Sequence, residues 1–264
     1  FDRGTILLTD PPNGVNVAAA PGVLWDRRVR AYRAPARRYS ALKRWLLAGG
    51  VRVQDISPRP RSVRAAWSDV DLRPYQEAAL SAWDLAHRRG VVALPTGSGK
   101  TRLALAAMQR TQLSALCLVP TRVLLDQWSR EINAVYRDAI GCYGDGVRRL
   151  APVTVATFEA AYRHMDEIGD RFDLLIIDEV HHFGGGLRDE ALEMAIADAR
   201  LGLTATPPRD AGAAACLSEL VGPTVFELAV ADLAGGFLAS FDAITLYLDL
   251  SREERSAYTN LGAI

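Results

Sequence analysis

The sequence predicts an α/β protein with a parallel sheet, helices on both faces, and a small α+β unit ahead of it. Three observations carry this reading. From about residue 70, short apolar runs of strand length alternate with stretches of helical pattern. Those runs are nearly continuously apolar, as strands covered on both faces must be. The first 65 residues differ, with strand signals punctuated by Pro and Gly around one helical stretch.

Taken in order, "GTILLTD" reads as a short strand ending at the turn signal "PPNG". "GVLWDRRVRAYRAP" reads as a hairpin with its bend near Asp26 to Arg28, and "ARRYSALKRWLLAGG" as a helix stopped by a glycine pair. "VRVQDISP" is expected to add another strand, and "SPRPRS" has the composition of a linker. The strands of the larger unit are "GVVALP", "ALCLVP", "VTVAT", "DLLIID" and "RLGLTAT". Helical patterns lie between them, such as "PYQEAALSAWDLAHRR", "KTRLALAAMQR", "TRVLLDQWSREINAVY" and "DEALEMAIADA". In such a sheet, ligands sit at the carboxyl ends of the strands. The expected organisation is a basic unit over 1–65, the α/β unit over 66–235, and a last segment over 236–264. That segment holds one strand-like run, "AITLYLDL", and a charged helix start, "SREERSAY".

Composition excludes several classes. With 264 residues, 49% apolar and 23% charged, the chain has the make-up of an ordinary globular protein with a sizeable core. No run of 18 apolar residues offers a membrane-spanning helix, and no leader of secretory type is present. Cys117, Cys142 and Cys216 are far apart, odd in number and without metal-ligand spacing. A reducing cytoplasm is the expected location, nucleoid-associated in a prokaryote. The chain starts at Phe1 and reads as a piece of something longer.

A net charge of zero conceals a block. Between Asp26 and Arg64 there are 12 basic residues and two acids, a balance of +10, so the rest of the chain carries −10. Two readings compete. A polyanion partner would be held by these arginines, with Trp25, Tyr32, Tyr39 and Trp45 available to stack on bases. Alternatively, the arginines pair with the acidic unit and the aromatics fill a small core.

The chain contains only two lysines, Lys43 and Lys100, among 31 basic residues. Lys100 lies in "LPTGSGKT", between a strand and a helix. Gly99, Lys100 and Thr101 fit the end of the phosphate-loop pattern; its first glycine is replaced by Leu94. Gly97 and Gly99 let the backbone wrap a phosphate, and N–H groups at the helix start favour negative charge. Lys is a compact point charge for the β- and γ-phosphates, where planar Arg fits poorly. Thr101 offers a hydroxyl to Mg²⁺. "DLLIIDEVHH" delivers Asp178 and Glu179 to the end of a strand: Asp178 suits Mg²⁺, and Glu179 suits orienting or deprotonating a water. His181 and His182 lack the partners of a metal site. "LGLTATPPRD" ends a strand in Thr204 and Thr206, and in "LRPYQ" Gln76 has the donor and acceptor to match an adenine edge.

In this order, "LRPYQ", "LPTGSGKT", "LVPTRVLLDQW", "DEVHH" and "LGLTATPPRD" resemble the first motor lobe of superfamily 2 helicases, most closely the XPB-type DNA helicase and translocase group, over residues 70 to 235. The resemblance implies a RecA-like sheet and ATP and Mg²⁺ as ligands. It implies a nucleotide site of Arg73, Gln76, Thr96, Gly97, Ser98, Gly99, Lys100 and Thr101, with Lys100, Asp178 and Glu179 catalytic and Thr101 and Asp178 on the metal. It places His181, Thr204 and Thr206 where ATP state is coupled to nucleic-acid grip, and Pro120, Thr121, Arg122 and Arg209 on the nucleic-acid face. The basic N-terminal unit resembles, more loosely, the damage-recognition-like domain of XPB relatives. Those relatives carry an Arg-Glu-Asp triplet that here reads Arg209, Asp210, Ala211. The implied function is ATP-dependent movement on DNA in repair, with a second motor lobe beyond Ile264 and a nuclease or repair protein as possible partner. The alternatives are an RNA helicase, the motor subunit of a restriction-type nuclease, or a nucleotide-gated DNA-binding module that does not unwind.

Overall fold

The computed structural model describes residues 1–11, 14–56, 67–208, 210–233, 249–251 and 254–255. The linker-like "SPRPRS", Arg209 and most of "AITLYLDL" and "SREERSAY" lie outside these.

The N-terminal unit is a three-stranded antiparallel sheet in the order β1-β3-β2, formed by β1 (Thr5–Leu8), β2 (Leu24–Asp26) and β3 (Ala31–Pro35). The hairpin bends where the sequence predicts. Asp26 accepts the N–H of Arg28 (3.0 Å) and its Nε (3.1 Å), and Arg33 Nε from the next strand (3.2 Å). These guanidinium partners hold its carboxyl down at about 2. Helix α1 (Tyr39–Ala48) covers the sheet with Leu42 and Leu46, against Val17, Ala20, Val23 and Ala34. The strand expected in "VRVQDISP" does not form. Over 51–56 the chain runs beside α1, with Val51 and Val53 packed on the small core. Asp55 is tied to Lys43 Nζ (3.1 Å) and to the Tyr39 hydroxyl. The alternating pattern is satisfied by a helix surface instead of a neighbouring strand.

The larger sheet has eight strands in the order β11-β4-β10-β9-β5-β8-β6-β7. The five strand signals form β4 (Arg89–Ala93), β5 (Ala115–Val119), β8 (Val153–Thr157), β9 (Leu174–Ile177) and β10 (Ala199–Thr204). They pair in parallel. The sequence reading omits β6 (Gly141–Gly144), β7 (Val147–Arg149) and β11 (Thr224–Glu227). β6 and β7 form a hairpin across Asp145 and Gly146, both at positive φ (51° and 80°), the conformation that an Asp-Gly turn supplies.

Strand side chains alternate between two cores. Ala115, Cys117 and Val119 face α2 (Pro74–Leu85), α3 (Lys100–Thr111) and α4 (Arg122–Val135). Leu116 and Leu118 face α5 (Phe158–Ile168), α6 (Asp189–Glu193) and α7 (Ala211–Leu220). A last turn, α8 (Val230–Leu233), adds Leu233 to the first core. The fold is thus a RecA-like parallel sheet with helices on both faces.

Arg200 explains why α6 is shorter than "DEALEMAIADA" suggests. The side chain is fully buried at the start of β10, and its hydrogen bonds all go to main-chain carbonyls. Nε donates to Ala197 (3.0 Å), Nη1 to Leu192 (2.9 Å) and Leu220 (2.6 Å), and Nη2 to Ala195 (2.7 Å). Carbonyls that would continue the helix are turned onto the guanidinium. Leu220 closes α7, so its carbonyl brings the negative end of a helix dipole. Burial pulls the guanidinium down to about 9, still charged at neutral pH.

The N-terminal unit docks at the amino ends of these strands. Arg37 Nη2 lies 2.8 Å from Glu219 and its Nε 3.2 Å from Glu193; Arg38 pairs with Glu219 (3.3 Å) and Arg44 with Asp198 (3.7 Å). Gly4 sits at φ +77° against Met194, and any Cβ there would collide with that side chain. Part of the basic block therefore pairs with the acidic unit.

Two outcomes are expected. Arg200→Met removes a donor from four buried carbonyls, of which Leu220 keeps only its longer contact to Arg89 Nη2 (3.4 Å), and should cost about 3 kcal/mol or more, read from the urea midpoint. Glu219→Lys should loosen docking and raise the radius of gyration in X-ray scattering at low salt, with partial recovery in Arg37→Glu/Glu219→Lys.

Candidate nucleotide site and nucleic-acid face

Parallel register brings the strand ends level: Ala93 lies beside Thr204, and Ile177 beside both Gly202 and Leu118. The segments that leave these ends form one rim.

β4 runs through buried Leu94 and Pro95 into the glycine turn, and α3 begins at Lys100. Gly97 (φ 79°) and Gly99 (φ 80°) take the left-handed conformation that glycine adopts without strain. A Cβ on Gly99 would stand 2.6 Å from Gln76 Nε2, so the missing side chain is what lets the loop close. Thr96 and Gly97 are exposed at the turn, and Thr101 is half-buried in the first turn of α3. Lys100 Nζ folds back along the loop toward the carbonyls of Leu94 (3.3 Å) and Pro95 (3.5 Å).

"LRPYQ" lies under the loop. Gln76 is buried, and its Nε2 donates to the carbonyls of Ser98 (2.8 Å) and Gly99 (3.3 Å). Its Oε1 accepts the N–H of Arg73 (2.8 Å). Gln76 thus braces the loop, and its amide donors face loop carbonyls in place of a base edge. Tyr75, which the sequence reading passes over, donates its hydroxyl to Ser98 O (2.7 Å), and the exposed Arg73 reaches that hydroxyl through Nη1 (3.3 Å). The Ser98 hydroxyl turns inward onto Pro95 O (2.6 Å), so this side chain serves the loop itself.

Asp178 and Glu179 follow β9 as expected. Asp178 is 7% exposed and accepts the Glu179 N–H at Oδ1 (3.0 Å) and the Trp128 Nε1–H at Oδ2 (3.0 Å). Burial pushes its carboxyl up, as does Glu179, while Trp128, the Glu179 N–H and the Lys100 charge pull it down. Trp128, like Tyr75, contacts the candidate site and is missed by sequence reasoning. The available signal was an apolar-face Trp whose N–H must find a buried acceptor.

Glu179 holds a left-handed backbone (φ 48°, ψ 50°), a strain of about 1 kcal/mol or more for a non-glycine residue. The turn brings together the residues expected to couple nucleotide state to nucleic-acid grip. Glu179 Oε2 is 3.4 Å from His181 Nδ1, which is 2.9 Å from Thr204 Oγ1, and Thr204 Oγ1 accepts the Thr206 N–H (3.0 Å). His182 instead packs edge-on against Phe158, and burial lowers its pKa.

Along the rim, Pro120 leads into Thr121, which caps α4 by accepting the Leu124 N–H (3.3 Å). Arg122 is exposed and paired with Asp145 of the β6–β7 turn. Arg209 lies outside the described residues. Asp210 accepts the Ala213 N–H (2.7 Å) as the N-cap of α7, which gives the acid of that triplet a structural partner.

Among the described residues no helix is long and apolar enough to cross a membrane, and no three His, Cys, Asp or Glu side chains cluster as a metal cage. A hydroxyl and a single carboxylate beside a phosphate loop instead fit Mg²⁺, which takes few protein ligands and completes its shell with phosphates and water.

Comparison with known proteins agrees with this geometry. The family described as "Type III restriction enzyme, res subunit" matches residues 69–209, just over half the chain. The "Xeroderma pigmentosum group B helicase damage recognition domain" matches residues 1–56. The chain is 36% identical over 244 residues to the DNA 3'-5' translocase XPB2 of Sulfurisphaera tokodaii, covering 92% of this chain and 55% of that protein. It is 34% identical over 200 residues to the DNA 3'-5' helicase XPB of Kineococcus radiotolerans, covering 71% and 35%. The chain therefore spans about half the length of these relatives or less. Among solved structures, the UvsW helicase of bacteriophage T4 matches with a TM-score of 0.52 at 20% identity, over 78% of this chain and 82% of that one. The Sulfolobus solfataricus SWI2/SNF2 ATPase core in complex with dsDNA matches with a TM-score of 0.52 at 18% identity, over 65% and 38%. At these identities the likeness is one of fold. With both matches in chain order and the motor motifs gathered on one rim, the chain belongs to the family described as Type III restriction enzyme, res subunit, as an XPB-type member of the superfamily 2 helicases.

Proposed function

We propose that the protein to which this chain belongs is an ATP-dependent DNA translocase or helicase acting in DNA repair. In this reading residues 1–65 are a DNA-binding domain, 66–235 the first motor lobe, and 236–264 the lead-in to a second lobe. The observation that carries it is the convergence of the phosphate loop, Asp178, Glu179, His181 and Thr204 on one rim. The names of the relatives favour DNA over RNA. The description of the match over 69–209 keeps open a motor subunit of a restriction-type nuclease, which would show ATP-dependent DNA cleavage with its partner.

The N–H groups from Gly97 to Lys100 and the positive end of α3 receive the phosphates, and Lys100 leaves its carbonyl contacts to meet the β- and γ-oxygens. Thr101 and Asp178 would hold Mg²⁺. When bound, the ion neutralises charge on the phosphate oxygens. Glu179 orients the attacking water and accepts its proton. The contacts from Glu179 through His181 to Thr204 and Thr206 carry the change at the γ-phosphate toward the nucleic-acid face. An arginine finger from the second lobe would complete the site, a contribution of about 10³ to 10⁵ in rate.

For DNA binding the basic block divides. Arg37, Arg38 and Arg44 hold the docking contacts. At the hairpin, Arg27 and Arg30 are exposed and have no ion pair among the described residues, and Trp25 of the same hairpin is exposed as well.

Lys100→Ala in the full-length protein is expected to abolish DNA-stimulated ATP hydrolysis and strand displacement while changing stability by no more than about 0.5 kcal/mol. Wild-type turnover would refute the reading. Arg27→Ala/Arg30→Ala should flatten the slope of log K against log salt by about 2, since each lost phosphate contact removes about 0.9. Arg37→Ala/Arg38→Ala should leave that slope unchanged. Binding titrations at three salt concentrations check both.

A further inference from the structure

We propose that Trp128 is a positioning residue of the nucleotide site, which aims the Asp178 carboxylate and ties it to the helix whose first turn lies on the nucleic-acid face. The inference rests on the reading of Asp178 as the Mg²⁺ carboxylate.

The indole is 1% exposed and packs in the core formed by Leu125, Ile132 and Cys117. Indole Nε1–H is a donor only, and a buried donor needs an acceptor. Here the acceptor is Asp178 Oδ2, from a different element of the fold. The Glu179 N–H holds the other oxygen. Two donors from different directions fix the rotation of the carboxylate and leave its remaining lone pairs for a ligand on the rim. The indole is neutral, so it orients the carboxylate without cancelling the charge a cation requires. Lys or Arg at the same place would cancel it. This is how outer-shell donors act on metal-binding carboxylates elsewhere.

The other end of the link is α4. Thr121 caps this helix, and Arg122 and the exposed Val123 open it. Trp128 lies within its first two turns. A shift of that helix start relative to β9 carries the indole with it and turns the carboxylate.

Trp128→Phe keeps an aromatic ring in the slot and removes the donor, along with part of the buried ring volume. In the full-length protein it is expected to raise the Mg²⁺ concentration for half-maximal ATP turnover about tenfold or more. Nucleotide affinity in EDTA should stay at the wild-type level, as should the melting midpoint to within a few degrees. An unchanged Mg²⁺ dependence overturns the proposal.

A second readout stands even if this variant does not fold. The chain has five tryptophans. In a ¹⁵N spectrum one indole resonance, moved by Asp178→Asn, should shift when Mg²⁺ and a non-hydrolysable ATP analogue are added. It should also shift on adding an oligonucleotide alone. No shift with Mg²⁺ and analogue overturns the positioning role, and no shift with oligonucleotide overturns the link to α4. Lys100→Ala and Asp178→Asn separate the two levels. If both leave Mg²⁺-dependent nucleotide binding intact, the reading of the site falls. If both abolish it while Trp128→Phe keeps wild-type Mg²⁺ dependence, only the role of Trp128 falls.

Discussion

The parallel register of β4, β10, β9, β5 and β8 is the constraint on which the site depends. Parallel strands in a single sheet end on the same side, so residues far apart in sequence arrive together without any local signal that they should. Lys100 and Asp178 come after β4 and β9, and Thr204 ends β10. The hydrogen bonds that extend the ladder past the strand ends, Leu94 N–H to Thr204 O (2.9 Å) and Asp178 N–H to Leu118 O (2.9 Å), hold the first residues of each loop as rigidly as the sheet itself. Among the described residues of the loops that follow β4, β9 and β10, the non-glycine residue held at positive φ is Glu179, one step beyond the last of these bonds.

The opposite rim is organised by charge. Arg200 gathers the carbonyls of three segments from within, and the acids at the ends of α6 and α7 meet the arginines of the N-terminal unit from outside. The two arrangements differ in kind. Arg200 is sealed from solvent, so ionic strength has little hold on it. The docking pairs are partly open, with Glu219 about half exposed, and salt screens them. The fold of the lobe and the seat of its neighbour therefore answer to different conditions.

Most of the central sheet was legible because near-continuous apolar runs between helical stretches have few other solutions. The phosphate loop was legible because Lys100 is out of character in an arginine-rich chain. The misses have specific causes. Over 51–56 the V-R-V alternation was satisfied by packing on α1, and period alone cannot separate that from pairing. The Asp-Gly hairpin of β6 and β7 carried a standard turn signal but hardly any apolar run around it. The contraction of α6 depends on Arg200, which lies outside the helix and reads in sequence as an ordinary strand-start arginine. Trp128 stands in the sequence inside a helical pattern, with no reading of its own. Its role depends on which strand end lies across from it, and that information exists only after the sheet is assembled. Gln76 shows the reverse case: the residue was found, but its amide is engaged with the loop.

The hairpin at the end of the sheet has a further effect. A wide parallel sheet leaves an outer strand whose unpaired amides can recruit another chain into an extended β-assembly. Here β7 turns back antiparallel, is three residues long, and exposes Arg148 and Arg149. A neighbouring molecule would have to match a short strand and bring its own backbone against two positive charges. That border discourages edge-to-edge aggregation.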